Sequence, residues 1–289
     1  MALQRAFESH RPRAKRLFND PYAEAFLSGG WAVLAGIGRF PGLANVVERI
    51  FDTVAGPGPR PSAVVRTRAI DDAVSSEVGA RGIDQVVILG AGFDSRAHRL
   101  PALRSSRVFE VDHAATQVTK RVQCDRCDLP LHPVVYVPVD FEKDDLVRSL
   151  AGVGFRRDRP ALFLWEGVTN YLTAEAVDAT LDAIARATTG GTLIFTYVHA
   201  GLLDGTVHFP GGDRWLRNVA RLGEPWTFGL FPERVPEFLA ARRFQLLCDD
   251  SAAELGARFF LPLGRSERAS ALYRVAVARF GDGSDAANH

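Results

Sequence analysis

Short apolar or β-branched runs alternate with helix-period stretches through the middle of this chain, and no other feature limits its fold as tightly. The runs are 85–89, 107–111, 134–139, 161–165 and 192–197, and the stretches between them are 95–103, 114–127, 144–151 and 174–188. This is the pattern of a parallel sheet covered by helices on both faces, an α/β architecture. For the last stretch, Thr173 is placed as N-cap, Glu175 in the first turn and Gly190-Gly191 at the end. A helix over about 232–242 and strands over 244–248 and 271–278 then complete a seven-stranded, mostly parallel sheet.

The rhythm breaks at 199–231, where glycines and prolines are mixed with Phe209, Trp215, Trp226, Phe228 and Phe231. So long a connection in a compact domain is functional or disordered, and its aromatics argue against disorder, so it is read as a lid insertion. Residues 1–60 hold apolar helical stretches around 22–27 and 44–50, then the break Gly56-Pro57-Gly58-Pro59, and form an added helical layer. The chain reads as one domain over 1–280 with a frayed tail, 281–289.

Of the 289 residues, 35 are Lys or Arg and 34 are Asp or Glu, a net charge of 35 − 34 = +1. That near balance gives no field to hold a polyanion, which argues against nucleic acid or an acidic membrane as the main partner. Basic residues crowd Arg5 to Arg16, where a solvated helix face or mobile end is expected. Three cysteines cannot frame a secreted disulfide domain, so a reducing cytoplasm is expected, and the lone Cys124-x-x-Cys127 pair is read as chance, with no metal site. No apolar run reaches the ~18 residues that span a bilayer.

The sharpest local signal is Val86-Val87-Ile88-Leu89-Gly90-Ala91-Gly92-Phe93-Asp94-Ser95-Arg96, an apolar strand entering a glycine turn and then a helix. Glycines there let a ligand approach backbone N–H groups at a helix N-terminus. A dinucleotide fingerprint wants a third glycine where Ser95 stands, which weakens a nicotinamide-dependent oxidoreductase as the competing reading. Asp112 follows Gly92 by 20 residues, at the end of the next strand, where a carboxylate accepts ribose hydroxyls. Glu110, on the same face, serves a ligand or a salt bridge. Asp94, Asp112, Asp140 and Glu166 thus lie at the carboxyl ends of four successive strands, a ring suited to a cationic sulfonium or ammonium.

Together with Phe109-Glu110-Val111-Asp112, Val139-Asp140-Phe141 and Glu166-Gly167-Val168-Thr169-Asn170-Tyr171-Leu172, the glycine-turn motif closely resembles the leucine carboxyl methyltransferase family. Asn19-Asp20-Pro21-Tyr22-Ala23 and Val65-Arg66-Thr67-Arg68 look like its N-terminal signatures, and the likeness runs from about residue 13 to about 200. The resemblance implies a class I, Rossmann-like fold, S-adenosylmethionine as cofactor, and O-methylation of protein termini, polyketides or other small metabolites. It implies that Arg66 grips the methionyl carboxylate and that Gly90, Ala91 and Gly92 leave room beside it. Asp112 would take the ribose, Asp140 and the Phe141 backbone the adenine, and Glu166 the methionyl amine or sulfonium. For Arg66 an ion pair with Asp71 or Asp72 stands as the plain alternative, as does an Asp94–Arg96 pair for those two.

A carboxylate acceptor needs no general base, whereas a phenol or alcohol does. His199 and His208 are the candidate bases, Tyr171 and Tyr197 positioning donors, and no catalytic residue is assigned. Tyr197, Trp226 and Phe228 are the expected acceptor contacts, for a small apolar or aromatic molecule. The leading expectation is a small-molecule O-methyltransferase of natural-product biosynthesis. A protein carboxyl methyltransferase and a non-catalytic cofactor-binding protein are the alternatives.

Overall fold

The computed structural model describes residues 1–56, 58–141 and 143–281. Seven strands form one sheet: β1 (Gln85–Leu89), β2 (Arg107–Asp112), β3 (Val134–Pro138), β4 (Ala161–Trp165), β5 (Gly190–Val198), β6 (Phe244–Ser251) and β7 (Tyr273–Gly281). Their spatial order is β3-β2-β1-β4-β5-β7-β6. The first five strands run parallel, and β7 is antiparallel to both β5 and β6. From β1 the chain moves to β2 on one side and later to β4 on the other, so a crevice opens at the carboxyl ends of β1 and β4, where open α/β sheets bind ligands.

Both faces of the sheet are covered, which is why its strands read as unbroken apolar runs. Alternation sends Val87 and Leu89 into one core with Phe109, Phe163 and Ile184, and Val86 and Ile88 into another with Ile70, Val74 and Leu255. The first face carries α7 (Leu146–Gly152), α8 (Ala174–Ala187) and α11 (Val235–Ala240); the second carries α4 (Pro59–Arg81) and α12 (Ala252–Phe260). The remaining helices are α1 (Ala2–His10), α2 (Gly29–Gly38), α3 (Pro41–Ala55), α5 (Arg96–Arg99), α6 (Ala114–Asp125), α9 (Ala200–Leu203) and α10 (Gly212–Arg221).

Several expected elements change in the fold. The helix expected over 95–103 stops at Arg99, because Pro101 holds Leu100 extended before a 3-10 turn, Pro101–Leu103. The helix expected over 232–242 likewise divides into the 3-10 turn Pro232–Arg234 and α11. Thr173 does cap α8, accepting from the Ala176 N–H at 3.2 Å. Gly190 and Gly191 do not end that helix; they open β5, where a Cβ on Gly191 would lie 1.9 Å from the Ala161 carbonyl. Turns, not a helix, occupy residues 22–27, and the tail from 282 onward lies outside the described residues.

In the basic N-terminal stretch Arg13 and Lys15 are exposed, but two of the arginines are held. Arg5 is buried against Asp20 at 2.7 Å, and Arg11 pairs with Glu48 at 2.7 Å and Glu267 at 3.0 Å. No helix among the described residues is long and apolar enough to cross a membrane.

Candidate functional site

The glycine turn after β1 forms the floor of the crevice. Gly90 and Gly92 have φ of +61° and +46°, and a Cβ on Gly90 would meet Val168 Cγ2 at 2.4 Å. The turn is closed from β2: Asp112 accepts from the Gly92 N–H at 2.5 Å and from its neighbour His113 N–H at 2.7 Å. Asp112 therefore leaves the end of β2 beside the turn, tied down by backbone donors. The helix after the turn, α5, has four residues, and the Arg96 N–H is taken by Asp94 at 2.7 Å. The expected anion cradle at a helix N-terminus is thus already filled by a carboxylate.

Arg66 reaches the crevice from α4 and donates from Nε to Glu166 Oε1 at 3.0 Å. Glu166, just past β4, also accepts from Arg96 Nη1 at 2.7 Å. Asp71 does not hold Arg66; it takes Arg96 and Arg99, while Asp72 takes Arg68. Arg96 in turn pairs with Asp94 at 2.5 Å. Burial by itself raises the Glu166 carboxyl, but Arg96 and Arg66 overcome it and hold the group below the usual range. Asp94 follows the same logic: burial raises it, and Arg96, Lys120 and Arg5 bring it down to about 2.

The four strand-end acids are consequently not an open negative ring. Asp94 and Glu166 are matched by arginines, Asp112 by backbone N–H groups, and Asp140 accepts from Lys143 at 2.7 Å. The crevice offers balanced pairs, a setting for a zwitterion more than for a simple cation. Glu110 takes the structural role among its two: it is buried on Lys120 at 2.6 Å, and burial raises its carboxyl to about 7 against that partner's pull.

Two cavities of about 200 Å³ adjoin at Arg66 and Met1. One is lined by the glycine turn, Arg5, Asp94 and Glu166; Gly90, Ala91, Gly92, Arg66 and Glu166 therefore meet there. The other lies between α4, α10 and the start of β7, and is lined by Trp215, Asn218, Val219, Trp226 and Tyr273. Asp112 and Asp140 flank the crevice without lining either cavity, and the Phe141 side chain turns to the opposite side, toward Ala179 and Thr180.

Of the expected acceptor contacts only Trp226 lines the second cavity. Tyr197 is buried in the core with its hydroxyl donating to Asp249 at 2.6 Å, and burial raises its pKa. Phe228 packs on Phe238, ring centroids 6.3 Å apart. His199 spends Nδ1 as cap of α9, accepting from the Gly201 N–H at 3.0 Å, and sits between Phe209 and Phe231. Tyr171 is 40% exposed and lines neither cavity, and His208 is exposed. The insertion's Phe209, Trp215 and Trp226 join Leu202 and Leu272 in a small core of their own.

Sequence reasoning missed Arg5, Tyr273 and the work of Asp20 and Ser95. Asp20 Oδ2 accepts from both Arg5 Nε, 2.7 Å, and Ser95 Oγ, 2.6 Å, while Arg5 Nη2 donates to the Phe93 carbonyl at 2.6 Å. The Asn19-Asp20-Pro21-Tyr22 motif therefore braces the glycine turn, and Ser95 belongs to that brace. Its signal was in the sequence as a motif without a partner. Cys124, in the last turn of α6, and Cys127, just past it, are free thiols, and among the described residues no group of His, Cys, Asp or Glu is arranged to hold a metal.

The model of the family described as leucine carboxyl methyltransferase matches residues 1–185. A "putative S-adenosyl-L-methionine-dependent methyltransferase" of Mycobacterium avium is 32% identical over 222 residues, 72% of this chain and 69% of that protein. One from Frankia alni is 33% identical over 204 residues, 66% of this chain and 64% of that protein. The chain thus spans about two thirds of these relatives' own length. A crystal structure described as a putative methyltransferase from Thermobifida fusca shares the fold, with TM-score 0.59 and 19% identity, over 95% of this chain and 97% of that one. The chain belongs to the leucine carboxyl methyltransferase family of S-adenosylmethionine-dependent methyltransferases.

Proposed function

We propose that this protein methylates a carboxylate oxygen of a small organic acid, with S-adenosylmethionine held against the glycine turn. The residues present suit that cofactor. Arg66 matches the methionyl carboxylate and Glu166 the methionyl ammonium, so the existing Arg66–Glu166 pair can be exchanged for two pairs with a zwitterion. Asp112 stands where ribose hydroxyls donate, and Asp140 with the Phe141 backbone where an adenine edge would lie. When bound, the cofactor supplies a methyl group whose transfer to a carboxylate breaks the S–C bond, forms an O–C bond and releases no proton.

One observation carries the choice of carboxylate over hydroxyl. Among the described residues lining the second cavity there is no His, Asp, Glu or Lys. Its ionisable groups are Arg66, the Tyr273 phenol, which burial keeps protonated near neutral pH, and the Met1 α-amine, which burial lowers to about 5 and so makes a weak base. A hydroxyl acceptor finds no side-chain base there, whereas a carboxylate arrives ionised near neutral pH and needs only alignment and exclusion of water. Arg66, shared by both cavities, supplies the charge that orients such an acid, and the aromatic insertion acts as the lid that sheds water.

A nicotinamide-dependent oxidoreductase fits less well, because the Gly92 and Arg96 N–H groups a pyrophosphate would use are taken by Asp112 and Asp94. Incubation with methyl-labelled S-adenosylmethionine and candidate acids tests the proposal. The product should be a methyl ester whose label is released by mild alkali. An alkali-stable product would indicate an ether and refute carboxylate transfer, and failure to bind S-adenosylhomocysteine would remove the assignment altogether.

A further inference from the structure

We propose that the second cavity takes an aromatic carboxylic acid of one or two fused rings, its ring body against Trp215, Trp226 and Tyr273 and its carboxylate toward Arg66. The inference rests on the methyl-transfer reading above and narrows its acceptor.

Three rings meet in that cavity at steep angles. Trp215 and Trp226 are perpendicular with centroids 6.5 Å apart; Trp215 lies 5.4 Å from Tyr273 at 40°, and Trp226 lies 5.4 Å from Tyr273 at 74°. Such a corner offers a ring face and ring edges together, so a flat π system gains stacked and edge contacts where an alkyl chain gains area alone. An aromatic corner by itself also suits a cation. Here the Arg66 guanidinium lies 4.9 Å over the Tyr273 ring, which repels a cationic guest and attracts an acid.

Size sets the ring count. An apolar cavity of about 150 Å³ takes one benzene, so one of about 200 Å³ has room for a substituted ring or a fused pair. The position of Trp226 is fixed by its neighbour: the Thr227 N–H donates to the Asn170 carbonyl at 2.8 Å and the Thr227 hydroxyl to the Leu172 carbonyl at 2.8 Å. The indole N–H groups of Trp215 and Trp226 are both buried without a partner. Trp215, Trp226 and Tyr273 all lie beyond residue 185, where the family match ends.

The test compares kcat/KM for 2-naphthoate, benzoate, butanoate and a tripeptide ending in leucine, with labelled S-adenosylmethionine. We expect 2-naphthoate to exceed butanoate and the peptide by about tenfold or more, and Trp226→Ala to lower the naphthoate-to-butanoate ratio by about tenfold. Trp226→Phe should recover part of that ratio. An unchanged dissociation constant for S-adenosylhomocysteine in both variants shows that the site is still folded. Preference for the peptide or butanoate, an equal loss for both acids in Trp226→Ala, or no transfer to either aromatic acid by an enzyme that binds S-adenosylhomocysteine overturns this proposal alone. Failure of the parent protein to bind S-adenosylhomocysteine overturns the methyl-transfer reading on which it rests.

Discussion

Gly90 combines a left-handed backbone with the closest side-chain approach in the crevice, Val168 Cγ2 at 2.4 Å from where a Cβ would stand. Gly90→Ala should cost about 2–4 kcal/mol, the sum of left-handed strain and overpacking. Urea denaturation checks this, and adding Val168→Ala should return the overpacking share only. Asp94 makes a pH prediction. Its folded pKa of about 2 lies below the ordinary value, so the folded state binds fewer protons than the unfolded one. The stability it contributes is present above about pH 4 and is lost as pH falls toward 2. In Asp94→Asn the fall in urea midpoint over that interval should be shallower than in the parent, and equal slopes would show that the Arg96 pairing has no such effect. At this scale the motif residues were legible in the sequence, because glycine turns and strand-end acids occupy fixed offsets. What Asp112 and Glu166 face was not, since their partners lie on other elements, whereas the Asp94–Arg96 pair, two residues apart, was among the expected readings.

Among the elements, α4 decides most about the site and left the weakest trace in the sequence. It runs 23 residues from Pro59, after Gly58 at φ +99°, to Arg81, before Gly82 at φ +60°. Its buried positions include Arg60, Ser62, Arg66, Thr67 and Asp71, so no clean apolar stripe marks it. Polar residues are buried there because the helix is covered by α1, α3 and α12 as well as by the sheet, and they carry ion pairs to Asp52 of α3, to Glu166 past β4 and to Arg96 of α5. Arg66→Ala should weaken S-adenosylhomocysteine binding by about 10- to 100-fold, the worth of a charge-assisted hydrogen bond of about 1.5–3 kcal/mol. Titration calorimetry measures it, and an unchanged affinity would remove Arg66 from the cofactor site. α12 was equally hidden, although its capping box, Ser251 with Glu254, is written in the sequence as Ser-x-x-Glu. Ser251→Ala should lower stability by about 1 kcal/mol in the same denaturation assay.

Across the whole molecule, the N-terminal layer is fastened to the far end of the chain. Arg265 is buried on Glu8 at 2.6 and 3.0 Å, and Lys15 donates to the Leu263 carbonyl at 2.6 Å. Arg265→Ala would leave Glu8 buried with its main partner gone, a loss of about 3–5 kcal/mol, read as a fall in thermal midpoint. Since α1 contributes Arg5 to the glycine-turn brace, hydrogen exchange of the Phe93 to Arg96 amides should quicken in the same variant; unchanged exchange would uncouple the layer from the site. The sequence by itself determined the parallel α/β order, the glycine turn and the strand-end acids, because strand periodicity, missing Cβ atoms and strand-end placement are local properties. Only the tertiary structure decided that those acids are already matched by Arg66, Arg96 and backbone donors, that Tyr197 and Phe228 face the core, and that Tyr273 packs with Trp215 and Trp226. Those outcomes depend on which distant segments share a space, and chain spacing carries no term for that.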